Sequence, residues 1–174
     1  YSILPENRDA VNVDAFVEQV QREVYDGITT AEVERTMIMV ARSMIERDGA
    51  IMISGGSSSG VAVAVQSLCQ EAGIIFMAAL THSNDTTGKD RKANGFRYFF
   101  NAYMSGAALA PVLGKAYGND RRAYHLTADY TWGWTQQESI QASTEALGWQ
   151  TAENVLTPVG AGDFSSYIAP VLNS

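Results

Sequence analysis

Residues 50–80 read Ala50-Ile51-Met52-Ile53-Ser54, then Gly55-Gly56-Ser57-Ser58-Ser59-Gly60, then Val61 to Ala72, Gly73, and finally Ile74-Ile75-Phe76-Met77-Ala78-Ala79-Leu80. The first five residues form a short apolar strand, and the small residues Gly55 to Ser59 form a turn. Val61 to Ala72 is predicted as a helix, with Gly73 at its C-terminal cap position. Ile74 to Leu80 is apolar at consecutive positions, the pattern of a parallel strand buried on both faces. Strand, turn, helix and parallel strand make a βαβ unit, whose crossover is right-handed.

The same alternation extends in both directions. Upstream, Thr29 to Arg47 is predicted helical. Thr29 and Glu32 form a capping box, Val33, Met37, Val40 and Met44 recur at helical spacing, and Asp48-Gly49 ends the run. Val13 to Val24 fits a helix, with no strong strand before it. Downstream, Thr81 to Asn94 is a polar loop and Gly95 to Phe100 a short strand. Ala102 to Tyr117 is a helix containing Pro111, which is expected to bend or break it. Arg122 to Ala128 is a strand, Thr135 to Leu147 a helix, and Ala152 to Thr157 a strand. Asp163 caps a last helix through Leu172. The expected class is α/β, with doubly wound, mostly parallel sheets.

Composition narrows the function. The 174 residues are 46% hydrophobic and 18% charged, enough apolar content for a core. Asp+Glu outnumber Lys+Arg by 19 to 12, a formal charge of -7, which disfavours a nucleic-acid partner. Lys89, Arg91 and Lys92 cluster, but with Asp85 and Asp90 among them. The longest strictly apolar run, Ile74 to Leu80, is far too short to span a bilayer. The single cysteine, Cys69, excludes an internal disulfide and is expected as a small buried filler on a helix. The chain begins at Tyr1 without a basic-then-apolar leader, as an exported protein does after signal removal, and as a clipped cytosolic chain also does.

Three segments are site candidates, all at the carboxyl ends of predicted strands, where open α/β sheets bind ligands. In the first, Ser58 and Ser59 open a helix whose free N–H groups and dipole favour an anionic group by about 0.3–1 kcal/mol. The turn lacks the Lys of a P-loop and the glycine spacing of a dinucleotide fingerprint. Gly56-Ser57-Ser58-Ser59-Gly60 also matches the G-x-S-x-G of a nucleophile elbow, with Asp120 and His125 following in hydrolase order. However, His125 falls inside a predicted strand, so a serine hydrolase using Ser58 stands as the alternative. The second candidate is Thr81-His82-Ser83-Asn84, after the central strand. No second His or Cys is placed to complete a metal site with His82. The third is Asp129-Tyr130-Thr131-Trp132-Gly133-Trp134, an aromatic-rich turn able either to cover a ligand or to pack a helix start.

The series resembles the type I periplasmic binding proteins, and more closely the substrate-binding proteins of branched-chain amino-acid ABC importers (Leu/Ile/Val-binding-protein-like). The stretches that carry it are Asp48-Gly49-Ala50 leading to Ser54 through Ser59, Gln70 to Phe76, Thr87-Gly88, Gly95-Phe96-Arg97, Ala128 through Gly133, and Gly160 through Ser166. They cover about residues 30 to 174 in the family's order. The resemblance implies a binding protein and not an enzyme, with no catalytic residue, cofactor or metal. By position it implies ligand contacts from Ser58, Ser59, Leu80, Thr81, His82 and Trp132. His82 departs from the family's usual Ser or Thr, and Trp132 replaces a tyrosine, which points to a flatter or larger ligand, such as an aromatic one. The family's disulfide-bearing segment has no cysteine here.

The resemblance further implies a first lobe over residues 1–117, a hinge crossing at 118–121, and the start of a second lobe over 122–174. The small-molecule ligand would carry a carboxylate and be an amino acid or an aromatic or organic acid. Importer membrane subunits would be partners, and the location periplasmic. A ligand-sensing domain of a receptor or regulator with the same fold is a further alternative. The second lobe would own only two strands, so either the rest of a longer protein or a second copy of the chain is expected to complete it.

Overall fold

A computed structural model describes residues 13–173. Two parallel sheets are present in them. The first has the order β1-β2-β3, with β1 at Met52–Gly55, β2 at Ile75–Ala78 and β3 at Gly95–Arg97. The second pairs β4 (Arg122–Ala128) with β5 (Gln150–Thr157). All three strand pairings are parallel, so each must be joined by a crossover. The helices are α1 (Val13–Glu23), α2 (Thr30–Glu46), α3 (Ser59–Glu71), α4 (Ala102–Tyr117), α5 (Thr131–Glu145) and the short α6 (Ser165–Ile168), which runs into a 3₁₀ segment, Ala169–Asn173.

Local signals place most of these elements. The capping box at α2 is complete: the Glu32 N–H donates to Thr29 Oγ1, and the Thr29 N–H donates to Glu32 Oε2 at 2.8 Å. Gly73 closes α3 with φ +70, where an L side chain would be strained. The core lies between α2, α3 and one face of the first sheet. It is built from Ala41, Val61, Ala62, Val65, Cys69, Phe76 and Ala78, with Met37, Ile38, Ile45, Ile53 and Ile74 around it. Cys69 is the buried filler expected, and burial pushes its thiol up to about 11.

Several expectations change. The strand expected at Ile74 to Leu80 covers only Ile75–Ala78 and is not buried on both faces. Phe76 and Ala78 face the core, while Ile75 and its register partner Met52 are exposed. The reason is that the helices feeding this sheet, α2 and α3, pack together on the Phe76 face. The strand expected at Gly95 to Phe100 stops at Arg97. The loop Thr81 to Asn94 contains a 3₁₀ turn at Asn84–Thr87. Pro111 stays inside an unbroken α4. The helix expected to start at Thr135 starts at Thr131 instead, because the strand-to-helix turn is tight: a Cβ on Gly133 would sit 1.9 Å from the Ala128 carbonyl oxygen. Asp163 accepts from the Ser165 N–H at 2.9 Å, but the helix it leads into is a single turn.

Helix α4 packs along α5. A Cβ on Gly106 would lie 2.5 Å from the Ser139 carbonyl oxygen, so the two helix backbones are in near contact there.

Candidate functional site

The serine turn follows β1 directly. Gly56 has φ +82, and a Cβ there would lie 2.9 Å from the Ala62 Cβ and 3.3 Å from Thr81 Cγ2, so both conformation and space require glycine. Ser58 is the N-terminal cap residue of α3, but its side chain does not cap. Its hydroxyl instead donates to Glu34 Oε1 on α2, at 2.6 Å. Ser59 is buried, and its Oγ accepts from the Ser83 N–H at 3.4 Å, tying the serine turn to the loop after β2. The two segments are neighbours because β1 and β2 pair through Gly55 and Ala78.

The residues after β2 take three different positions. Leu80 is half exposed. Thr81 is buried beside the serine turn, and its hydroxyl has no partner. His82 stacks on Phe100, with ring centroids 4.2 Å apart, and tilts against Phe99 at 5.2 Å. Burial, and secondarily the charge of Arg97, hold its pKa below the usual histidine value. Its Nε2 is buried without a hydrogen-bond partner.

From the second sheet come Tyr130 and Trp132. Tyr130 is the cap residue of α5, and its ring centroid lies 5.9 Å from that of Trp132. Burial raises the Tyr130 pKa, and the negative charge of Glu34 raises it further. Trp132 is half-buried in the first turn of α5, and Trp134 Nε1 donates to Asp129 Oδ1 at 3.0 Å.

A polar hub joins the two sheets beside this group. Thr131, Thr135 and Ser139 lie four residues apart, on one face of α5. Ser83 Oγ is 2.9 Å from Thr131 Oγ1, which in turn donates to Asp85 Oδ2 at 2.8 Å. The Asn84 amide donates to Ser139 Oγ and its carbonyl accepts from the Tyr103 N–H, both at 3.0 Å, so one side chain holds both α4 and α5. Arg97 donates to the Ser83 carbonyl at 2.6 Å and to Thr87 Oγ1 at 2.7 Å, fixing the loop from behind.

Ser58 is bonded to a carboxylate and not to an imidazole, and His125 lies within β4, its Nε2 buried and without a partner. Among the described residues, no group of three or more His, Cys, Asp or Glu is close enough to hold a metal ion. Sequence reasoning missed Glu34, Phe99 and Phe100. The Phe99-Phe100 pair was visible in the sequence but was read as strand, and nothing local marks Glu34.

A family model described as periplasmic binding protein matches residues 18–174. This chain belongs to the periplasmic binding protein family. Proteins of this family bind solutes for ABC transporters and are not enzymes. A periplasmic binding protein from Burkholderia mallei shares the fold, with TM-score 0.74 and 19% identity over 92% of this chain and 46% of its own. A solute-binding protein of an ABC transporter from R. palustris, in complex with benzoate, has TM-score 0.72 and 19% identity over 91% and 46%. An amino acid ABC transporter substrate-binding protein from Pseudomonas fluorescens Pf-5 has TM-score 0.66 and 23% identity over 80% and 37%. The chain thus spans less than half the length of these structural relatives. A search of curated proteins finds no match.

Proposed function

We propose that this periplasmic binding protein chain is part of the substrate-binding component of an ABC importer, capturing a small carboxylate-bearing solute between its two sheets. The observation that carries this is that the segments at the carboxyl ends of β1, β2 and β4 meet: Ser83 bonds both to Ser59 of the serine turn and to Thr131 at the start of α5. The solute is read as an amino acid or an aromatic or organic acid, the classes that the Pseudomonas fluorescens and R. palustris relatives are named for. Trp132 and Leu80 are read as contacts, and the His82–Phe99–Phe100 stack as an aromatic wall. Ser59 and Thr81 act from beneath by shaping the turn, since their side chains are buried.

We read the crossing between lobes at residues 98–101, between the end of β3 and α4, a reading that the packing of α4 on α5 supports. Closure about that crossing is favoured by a ligand only through contacts with both lobes. The membrane subunits of the importer are the partners and the periplasm the location. The open edges of the second sheet are where the remainder of a two-lobe protein, or a second copy, joins. The test is a tryptophan-fluorescence titration with benzoate, L-leucine and L-phenylalanine. One of them should shift the emission, and Trp132→Ala should weaken its binding at least about tenfold, the order of a lost buried aromatic contact. Unchanged affinity in that variant removes Trp132 from the site.

A further inference from the structure

We propose that Gln66 is a positioning residue: from the buried face of α3 it holds the loop of residues 81–94 on its course, and so sets solute affinity without touching the solute. This rests on the solute-binding reading above. Gln66 is 1% exposed, in a stretch of α3 otherwise packed with Val61, Ala62, Val65 and Cys69. Its Nε2 donates to the carbonyl of Thr86 at 3.1 Å and to that of Asp90 at 3.0 Å. Both amide protons are thus used, and only the NH2 end of the side chain can face two carbonyls. The Oε1 end has no hydrogen-bond partner and lies against Gly95. For packing alone an apolar side chain would serve better, because an amide with one unpaired end costs free energy to bury.

Two further anchors stand on the same helix. Ser59 Oγ accepts from the Ser83 N–H at 3.4 Å, and Gln70 Oε1 accepts from the Asn94 N–H at 3.1 Å. Positions 59, 66 and 70 share one face of α3, so the loop is laid along the helix. Ser59 and Gln70 hold its ends, and Gln66 holds its middle. That middle is a compact turn, in which the Gly88 and Asp90 N–H groups both donate to the Asp85 carbonyl, at 3.1 and 3.0 Å. From the same turn Asn84 reaches Ser139 and Tyr103, and Asp85 reaches Thr131. A shift of the turn therefore moves the contacts by which the loop meets the second sheet, and with them the approach of the two sheets around a solute. Gly95 is part of the device. Its φ does not require glycine, but a Cβ there would overlap Gln66 Oε1 and lie 2.6 Å from Gln66 Cδ. The missing Cβ makes room for the amide.

The test compares Gln66→Met, which keeps the bulk and loses both donors, with Gly95→Ala, which keeps the amide and pushes it off the two carbonyls. Native-state hydrogen exchange of the full chain without ligand is read first. The Asp85, Gly88 and Asp90 amides should exchange at least about tenfold faster in both variants, the factor for one buried hydrogen bond lost, while the Ala41 and Cys69 amides of the core change less. Isothermal titration with benzoate, L-leucine and L-phenylalanine follows. The probe that binds the wild-type chain should lose at least about tenfold in affinity in both variants. A role in stability alone would lower the urea midpoint and leave both the affinity of the folded chain and the loop-to-core exchange ratio unchanged. Gly95→Ala should cost no further affinity when added to Gln66→Ala, because the side chain it displaces is gone. Equal loop exchange and equal affinity in Gln66→Met, or a full further loss from Gly95→Ala in the Gln66→Ala background, would overturn the assignment. If Gln66→Met does not fold, Gly95→Ala answers by the same two readouts. If no probe binds the wild-type chain, the solute-binding reading falls, and the exchange ratio measured without ligand still decides whether Gln66 positions the loop.

Discussion

Replacing Gly106 by alanine tests where α4 belongs. A Cβ at this position would meet the Ser139 carbonyl oxygen at 2.5 Å, the Ser139 carbon at 2.7 Å and the Ile140 nitrogen at 3.1 Å, all backbone atoms of α5. Ordinary contact begins at 3.4 Å, so the helices must separate by most of an ångström. No rotamer change can provide that separation. Overpacking costs about 1–3 kcal/mol, and a backbone-on-backbone clash belongs at the upper end of that range. Against it stands the helix-propensity gain of Gly→Ala, about 1 kcal/mol. The net loss is then about 2 kcal/mol, or about 4–8 °C in Tm for a chain of this size. Gly114→Ala, on the same helix, is the control. Its Cβ would meet Leu147 Cδ1 at 3.2 Å and Asn119 Oδ1 at 3.5 Å, both ends of side chains that can yield. That variant should be neutral, or more stable by up to about 1 kcal/mol. Urea and thermal unfolding of the two variants should therefore differ by about 2–3 kcal/mol. Equal stability would show that α4 is not held against α5, and the crossing at residues 98–101 would lose its support.

Asn84→Ala should cost about 1–3 kcal/mol in urea unfolding, because it strands the Tyr103 N–H and removes the Ser139 partner at the junction of the two sheets; a change within error would reduce the hub to surface decoration. Acid should weaken the fold below pH of about 6.5. Burial holds the pKa of both His82 and His125 down, aided at His82 by Arg97 and opposed at His125 by Glu145, so the unfolded chain takes up protons that the folded chain refuses. The stability is fully present above the unfolded histidine pKa and is lost as pH falls toward the folded values. A urea midpoint equal at pH 7.5 and 5.5 would contradict this. Cys69, fully buried and pushed up to about 11, should resist a thiol-specific disulfide reagent at pH 8 in the native chain and react promptly in urea; rapid labelling without denaturant would contradict the core described.

What the sequence determined by itself was local. The Thr29–Glu32 capping box, the stop at Gly73, the tight glycine–serine turn and the strand–helix alternation all depend on residues a few positions apart. Their preferences act before any tertiary contact forms, and together they imposed parallel βαβ units and put Ser58, His82 and Trp132 at the carboxyl ends of strands. Only the tertiary structure decided which side chains share the space beyond those ends. Glu34 meets Ser58 across 24 residues, Ser83 meets Thr131 across 48, and His82 turns its ring onto Phe100. Ser59 and Thr81 are buried where Ser58 is not, because α3 and the loop after β2 close over them. The side of the molecule that α4 joins was hidden for the same reason. Its apolar sequence requires a partner surface, but which surface it meets depends on where Gly106 lets two backbones approach, and that is settled between elements far apart in the chain.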